Sequence, residues 1–201
     1  MNNIILYENI TDAELKEIFS QVKHSKQRLD YIRRYYTDRK DSYVILEYTS
    51  TDNKLSGEIE IYKNRVINRH EIDAALFFVN KGFSVTLLPE GEAEKERNID
   101  AIFNHKTLVE FKRVKSENPN TIANEIKDAA NKGNSEVITV FFTEKAINID
   151  YERILDMIAF KKGKGHFTGI YDELLFIRNE IITKIYKKNT VRPTEVDTYR
   201  I

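Results

Sequence analysis

The chain of 201 residues is long enough for one fair-sized domain, or for one domain with a small appendage. It is 41% hydrophobic and 32% charged, which suits a packed core under a well-solvated surface, and it lacks cysteine, which excludes disulfides and thiolate metal sites. Basic and acidic residues balance at 32 each, which argues against a protein that coats nucleic acid nonspecifically, and charged residues interrupt every apolar run that could span a membrane. The first eight residues have neither the basic start nor the apolar run of a signal peptide. A reducing, cytoplasmic setting is therefore the expectation, although a secreted effector without cysteine is equally allowed.

Residues 1–66 read as a small N-terminal accessory region of α+β type. Thr11 is a good cap for a helix over 12–22, with Asp12 and Glu14 in its first turn and Leu15, Ile18, Phe19 and Val22 at helical spacing. A second helix over 26–36 carries Leu29, Ile32 and Tyr36 beside Arg28, Arg33 and Arg34. Stretches rich in β-formers at 42–49 and 57–62, separated by Thr51-Asp52-Asn53-Lys54, predict a hairpin.

The second region, 67–189, opens with a helix over 69–80 whose Ile72, Ala75, Leu76 and Val79 face a sheet, with Gly82 suited to its left-handed cap. A strand over 83–88 leads through the acidic loop 89–97 to strands over 98–103 and 107–112, joined by Asn104-His105-Lys106. A helix over 121–132 follows, with Asn118-Pro119-Asn120 as its lead-in. The strand over 136–142 is apolar enough to be buried on both faces. A helix over 150–161 and a strand or short helix within 167–177 complete the pattern, and the tail 190–201 has no periodicity. The first three strands of this region form a meander, and the fourth returns through a helical crossover.

Chemistry concentrates in Asp100, Glu110 and Lys112. Alternation along a strand puts Glu110 and Lys112 on one face and Val109 and Phe111 on the other. Glu-x-Lys alone on a strand is an ordinary surface ion pair. With a second carboxylate on the neighbouring strand, the trio suits a divalent cation and the activation of water, and hence phosphodiester hydrolysis. Glu90 and Glu92 in the acidic loop are candidates for a further metal ligand, with a solvated loop the favoured reading, and His70, His105 and His166 lack zinc-site spacing. Arg113 and Lys115 extend the strand of Glu110 as candidate substrate contacts. Lys161, Lys162 and Lys164 surround glycines without forming a P-loop, and Arg28, Arg33 and Arg34 alternate with Tyr31, Tyr35 and Tyr36.

The stretch 69–142 resembles the PD-(D/E)XK nuclease superfamily, with Asp100, then Glu110-Phe111-Lys112, in an αβββαβ order of elements. Within that superfamily it is similar to the C-terminal nuclease domains of contact-dependent growth inhibition toxins, which cleave tRNA. That likeness lies in Ala74-Ala75-Leu76, Gly82-Phe83-Ser84-Val85, Leu88-Pro89-Glu90 and Val109-Glu110-Phe111-Lys112. Ile99 stands where the superfamily's name has proline.

The resemblance implies an α/β fold with a mixed-sheet core and a metal-dependent endonuclease. In it Asp100, Glu110 and the backbone carbonyl of Phe111 hold Mg²⁺ or Mn²⁺, and Lys112 positions or deprotonates the attacking water. It also implies that Glu71 is an extra acid beside the metal and that Asn131 is a polar residue near the site. RNA, tRNA in particular, is the favoured substrate, with DNA possible. A toxin domain delivered to a target-cell cytoplasm would have a neutralising immunity protein as partner. Two other readings stay open: an inactive nucleic-acid- or protein-binding module on the same fold, and a DNA endonuclease of repair, recombination or defence, for which a homodimer is plausible.

Overall fold

A computed structural model describes residues 11–20, 42–49, 55–62, 66, 68–88, 99–131, 135–166 and 171–187. The expected helix over 26–36, the acidic loop 89–97 and the tail 190–201 lie outside the described residues. The chain divides into two compact units, one spanning Ile10–Phe111 and the other the chain from Lys112 on. Both mix helices with parallel and antiparallel strands, which is the expected α/β class. No described helix is long and apolar enough to cross a membrane.

In the first unit α1 (Asp12–Ser20) buries Leu15 and Phe19, one helical turn apart. Strands β1 (Ser42–Thr49) and β2 (Ser56–Tyr62) form the expected antiparallel hairpin. Helix α2 (Arg69–Val79) then leads to β3 (Ser84–Leu87), which lies parallel to β2 in the register Ile59↔Val85. This is a βαβ unit, and it joins the hairpin to the strands that follow. The meander continues antiparallel through β4 (Ala101–Phe103) and β5 (Thr107–Val114).

Two glycines make these joints possible. Gly82 (φ 79°) turns the chain back at the end of α2, and the N–H of Phe83 reaches the carbonyl of Phe78 at 3.1 Å. At Gly57 an added Cβ would stand 2.4 Å from the carbonyl oxygen of Phe83 and 2.8 Å from that of Val79, so only glycine lets β2 pass so near the end of α2. The tip of the β4–β5 hairpin has Asn104 and His105 in left-handed conformation (φ 48° and 59°), the pattern of a type I′ turn. Asn104 locks it by donating its N–H to the Ser84 carbonyl at 2.7 Å and accepting the Ser84 N–H on Oδ1 at 3.0 Å.

Registers Ile59↔Val85, Val85↔Phe103 and Ala101↔Val109 sort the side chains of this sheet onto two faces. One carries Ile59, Ile61, Val85, Leu87, Ala101, Phe103, Val109 and Phe111. Here Phe103 packs on Phe19, Phe78, Phe83 and Phe111, with centroids 4.6–5.9 Å apart, so α1 and α2 cover this face. The other face carries Glu60 and Tyr62, Thr86 and Leu88, Asp100 and Ile102, and Leu108 and Glu110. A smaller apolar cluster of Leu88, Ile99, Ile102 and Leu108, with Tyr62 against it, lies among these polar groups.

In the second unit α3 (Pro119–Asn131) starts two residues earlier than expected. Pro119 takes the first helical position, where a missing N–H costs nothing, and Asn118 Oδ1 accepts the N–H of Asn120 at 2.9 Å and of Thr121 at 3.4 Å. Strand β6 (Val137–Phe142) has Val137, Ile138, Thr139 and Val140 all fully buried, as the apolar run predicts. Helix α4 (Tyr151–Gly163), capped by Asp150 on the Arg153 N–H at 2.9 Å, crosses to β7 (Glu173–Arg178), which is parallel to β6. A turn at Asn179 and Glu180 returns the chain as β8 (Ile181–Lys187), a strand that the sequence patterns do not announce. Ile122, Ile126 and Ala130 of α3 pack with Ile154 and Ile158 of α4 over Ile138, Val140, Leu174 and Phe176.

Candidate functional site

Strand β5 presents its residues alternately, and the antiparallel register decides what each one meets. The register of this hairpin ends at Ala101↔Val109, so Asp100 and Glu110 each stand one position beyond that last pair. Both acids therefore lie at the same end of the hairpin. Asp100 stands one residue before β4 begins, and its carbonyl still accepts the Leu88 N–H at 3.0 Å.

The two acids sit in different surroundings. Glu110 is fully buried, while Asp100 is partly exposed. Asp100 Oδ2 accepts the backbone N–H of Phe111 at 2.7 Å, so a side-chain oxygen of one strand carries on where the ladder ends. That short bond to an ionised acceptor fixes the carboxylate in place. In an extended strand the N–H and C=O of one residue point to the same side, which directs the Phe111 carbonyl toward Asp100 as well. The ring of Phe111 goes the other way, into the aromatic cluster beside Phe78 and Phe103, and so anchors this segment.

Lys112 follows two positions after Glu110 on the same strand, on its face by alternation, and is partly exposed. Arg113 is exposed, and the same alternation turns it to the opposite face; Lys115 is exposed just beyond the strand's end. Asn131, at the last residue of α3, donates Nδ2 to the His166 carbonyl at 3.3 Å. Glu71 is buried on α2 together with Ala75 and Phe78, the helix whose Phe78 packs on the aromatic face rather than on the face of Asp100 and Glu110. Among the described residues no three His, Cys, Asp or Glu side chains group so as to hold a metal ion, so Glu71, Asp100 and Glu110 form no three-carboxylate cage. His105 is exposed at the hairpin tip, with Nε2 3.8 Å from Glu58 Oε1.

A divalent hard cation fits what remains. Two carboxylates and a carbonyl are oxygen donors of the type Mg²⁺ and Mn²⁺ prefer, and such ions keep several waters instead of demanding a closed protein cage.

One polar pair on this face escapes the sequence reading. Thr86 Oγ1 donates to Glu60 Oε2 at 3.0 Å, and both residues are buried. By register Glu60, Thr86, Ile102 and Leu108 form one row across the strands, beside the row of Leu88, Asp100 and Glu110. The alternation Glu58-Ile59-Glu60-Ile61 was the available signal, since it separates the glutamates from the isoleucines. It does not tell that the glutamate side is also withdrawn from water.

The fold is α/β, with αβββαβ order from α2 to β6 and a meander that carries Asp100 and Glu110. No protein-family model and no curated protein matches this sequence. Among solved structures the chain has a distant likeness to a CdiA-CT/CdiI toxin and immunity complex from Burkholderia pseudomallei, with 23% identity, coverage of 59% of this chain and 82% of that one, and a TM-score of 0.41.

Proposed function

We propose that the chain is a metal-dependent nuclease in which Asp100, Glu110 and the Phe111 carbonyl hold Mg²⁺ or Mn²⁺ and Lys112 assists the attack of water on a phosphodiester. What supports this reading is the placing of Asp100 and Glu110 one position beyond the Ala101↔Val109 pair, with Asp100 tied to the Phe111 N–H. A bound divalent cation supplies a lowered pKa for water and charge neutralisation for the phosphate. The protein's own part is orientation and charge. Glu110 contributes a carboxylate withdrawn from bulk water, the Phe111 N–H holds Asp100 in one rotamer, and Lys112 offers an ammonium to the charge that develops on the phosphate.

RNA, and tRNA within it, is the substrate we favour, on the likeness of the motifs around Ala74, Gly82 and Glu110 to toxin nucleases. The same likeness makes a neutralising immunity protein the expected partner. The test is cleavage of pooled tRNA and of duplex DNA with Mg²⁺ or Mn²⁺ by wild type, Glu110→Gln and Lys112→Ala. Wild type is expected to degrade tRNA, chelation by EDTA to stop it, and each variant to lose about a hundredfold or more, the scale seen when one group acting on transition-state charge is removed. Equal cleavage by all three proteins removes these residues from the mechanism, and cleavage of DNA alone moves the reading to a DNA endonuclease.

A further inference from the structure

Helix α4 buries Ile154, Leu155 and Ile158 in the core but leaves Phe160 59% exposed in its last turns. The six residues that follow, 161–166, hold three lysines and one histidine with no acid, in a chain whose net charge is zero. The turn they form is tightly closed. Lys164 donates its N–H to the Phe160 carbonyl at 3.1 Å, Gly165 to that of Lys162 at 2.9 Å, and His166 to that of Lys161 at 3.0 Å. Gly165 adopts φ 71°, with nothing within 4 Å of where a Cβ would stand, and Asn131 Nδ2 pins the His166 carbonyl at 3.3 Å. Lys164 Nζ lies 5.9 Å from the centroid of the Phe160 ring. Among the described residues neither Lys161 nor Lys164 forms an ion pair.

The negative end of a helix dipole accounts for lysines here, but not for a phenylalanine ring left in water. An exposed aromatic ring with an ammonium group beside it, in a lysine-rich turn, is what a single-stranded nucleic acid needs: a flat apolar face for a base and cations for its phosphates. We infer that this turn is a docking surface for unpaired nucleotides, with Phe160 as the stacking platform and Lys161 and Lys164 as phosphate contacts. The class of ligand rests on the nuclease reading; the surface itself rests on the exposed ring, the charge and the closed turn. It also gives Asn131 a positioning part, since its amide holds the carbonyl at the end of the turn.

The test is fluorescence anisotropy in EDTA, with a labelled single-stranded RNA of about 20 nucleotides, long enough to span an ordinary single-strand site. A duplex DNA of the same length and phosphatidylserine vesicles serve as comparison arms. Phe160→Ala is expected to weaken RNA binding about tenfold with the salt slope unchanged, as loss of one stacked base does. Lys161→Gln combined with Lys164→Gln should weaken it as well and lower the slope of log K against log salt by about 1.4, at about 0.7 per phosphate contact on a single strand. Melting curves of these surface variants, expected to match wild type, exclude misfolding as the cause. Glu110→Gln separates the two ideas. If it abolishes cleavage while the turn variants bind RNA like wild type, the docking surface alone is overturned. If the turn variants lose RNA binding but no protein cleaves, the nuclease reading fails and the surface stands. Absence of RNA binding by wild type, or binding only to the vesicles, overturns the surface.

Discussion

Glu110 has no surface in water, and withdrawing a carboxylate from water is costly unless partners or a cation meet it. Asp100 is placed differently, partly in water and held by one backbone N–H, so the pair joins a buried acid to a presented one. Glu117 shows the contrasting case of an acid with a purely local task. Its carboxylate accepts the N–H groups of Ile147 and Asn148, the latter at 2.9 Å, while Arg178 donates to the Ile147 carbonyl at 2.8 Å. The N–H of Asn148 first, then that of Ile147, lower its pKa below the ordinary 4.5, with the charge of Arg178 adding a smaller push. A lowered pKa in the folded state means stability present above the ordinary value and lost as pH falls through the folded one. Urea midpoints of wild type should therefore exceed those of Glu117→Gln at neutral pH, and the gap should close as the pH drops below 4.5. A gap that is constant with pH would contradict the assignment.

Helices, strands and turns were legible where one local rule dominated. The β4–β5 hairpin follows from alternation on both sides of Asn104-His105-Lys106, and the end of α2 from Gly82. Other joints were not legible, for physical reasons. Asn118-Pro119-Asn120 reads as a lead-in, yet proline at the first helical position and asparagine before it are themselves the start of α3. Strand β8 was missed because Asn179 and Glu180 both sit at positive φ, and a glutamate there is no turn signal. The parallel pairing of β2 with β3 depends on α2 crossing between them, and no pattern within either strand announces its neighbour. That pairing makes a testable demand on Gly57. Gly57→Ala should destabilise by about 1–3 kcal/mol, the usual penalty for forcing extra atoms into a packed site, because its Cβ would meet two carbonyl oxygens of the α2 end. Phe78→Ala, at the centre of the aromatic cluster, should cost about 3–5 kcal/mol. Urea unfolding of both variants checks this, and an unchanged midpoint for Gly57→Ala would mean that β2 does not approach α2 so closely.

Taken as a molecule, the chain separates quantities that its totals conceal. A net charge of zero coexists with four basic side chains within residues 161–166 at the end of α4 and with two carboxylates, Asp100 and Glu110, at one end of the hairpin. Asp100, Glu110 and Lys112 read as a trio because strand alternation and element order point the same way, and the trio itself belongs to the proposal. Phe160 was legible only as a helical residue, since periodicity does not say which apolar side chain remains in water. Glu71 enters as a third acid only through the resemblance; it lies buried on α2, and where its carboxylate stands is a matter of tertiary placement that spacing in the sequence cannot reach. The proposed site requires that Asp100 and Glu110 together bind a divalent cation. Calorimetric titration of the metal-free protein with Mn²⁺ tests it most directly, using wild type, Asp100→Asn and Glu110→Gln. The account predicts one ion per wild-type chain and binding weakened at least about tenfold in each variant, a size of loss seen even when groups behind the ligands are changed. A wild type that takes up no Mn²⁺, or variants that bind it equally well, would contradict it.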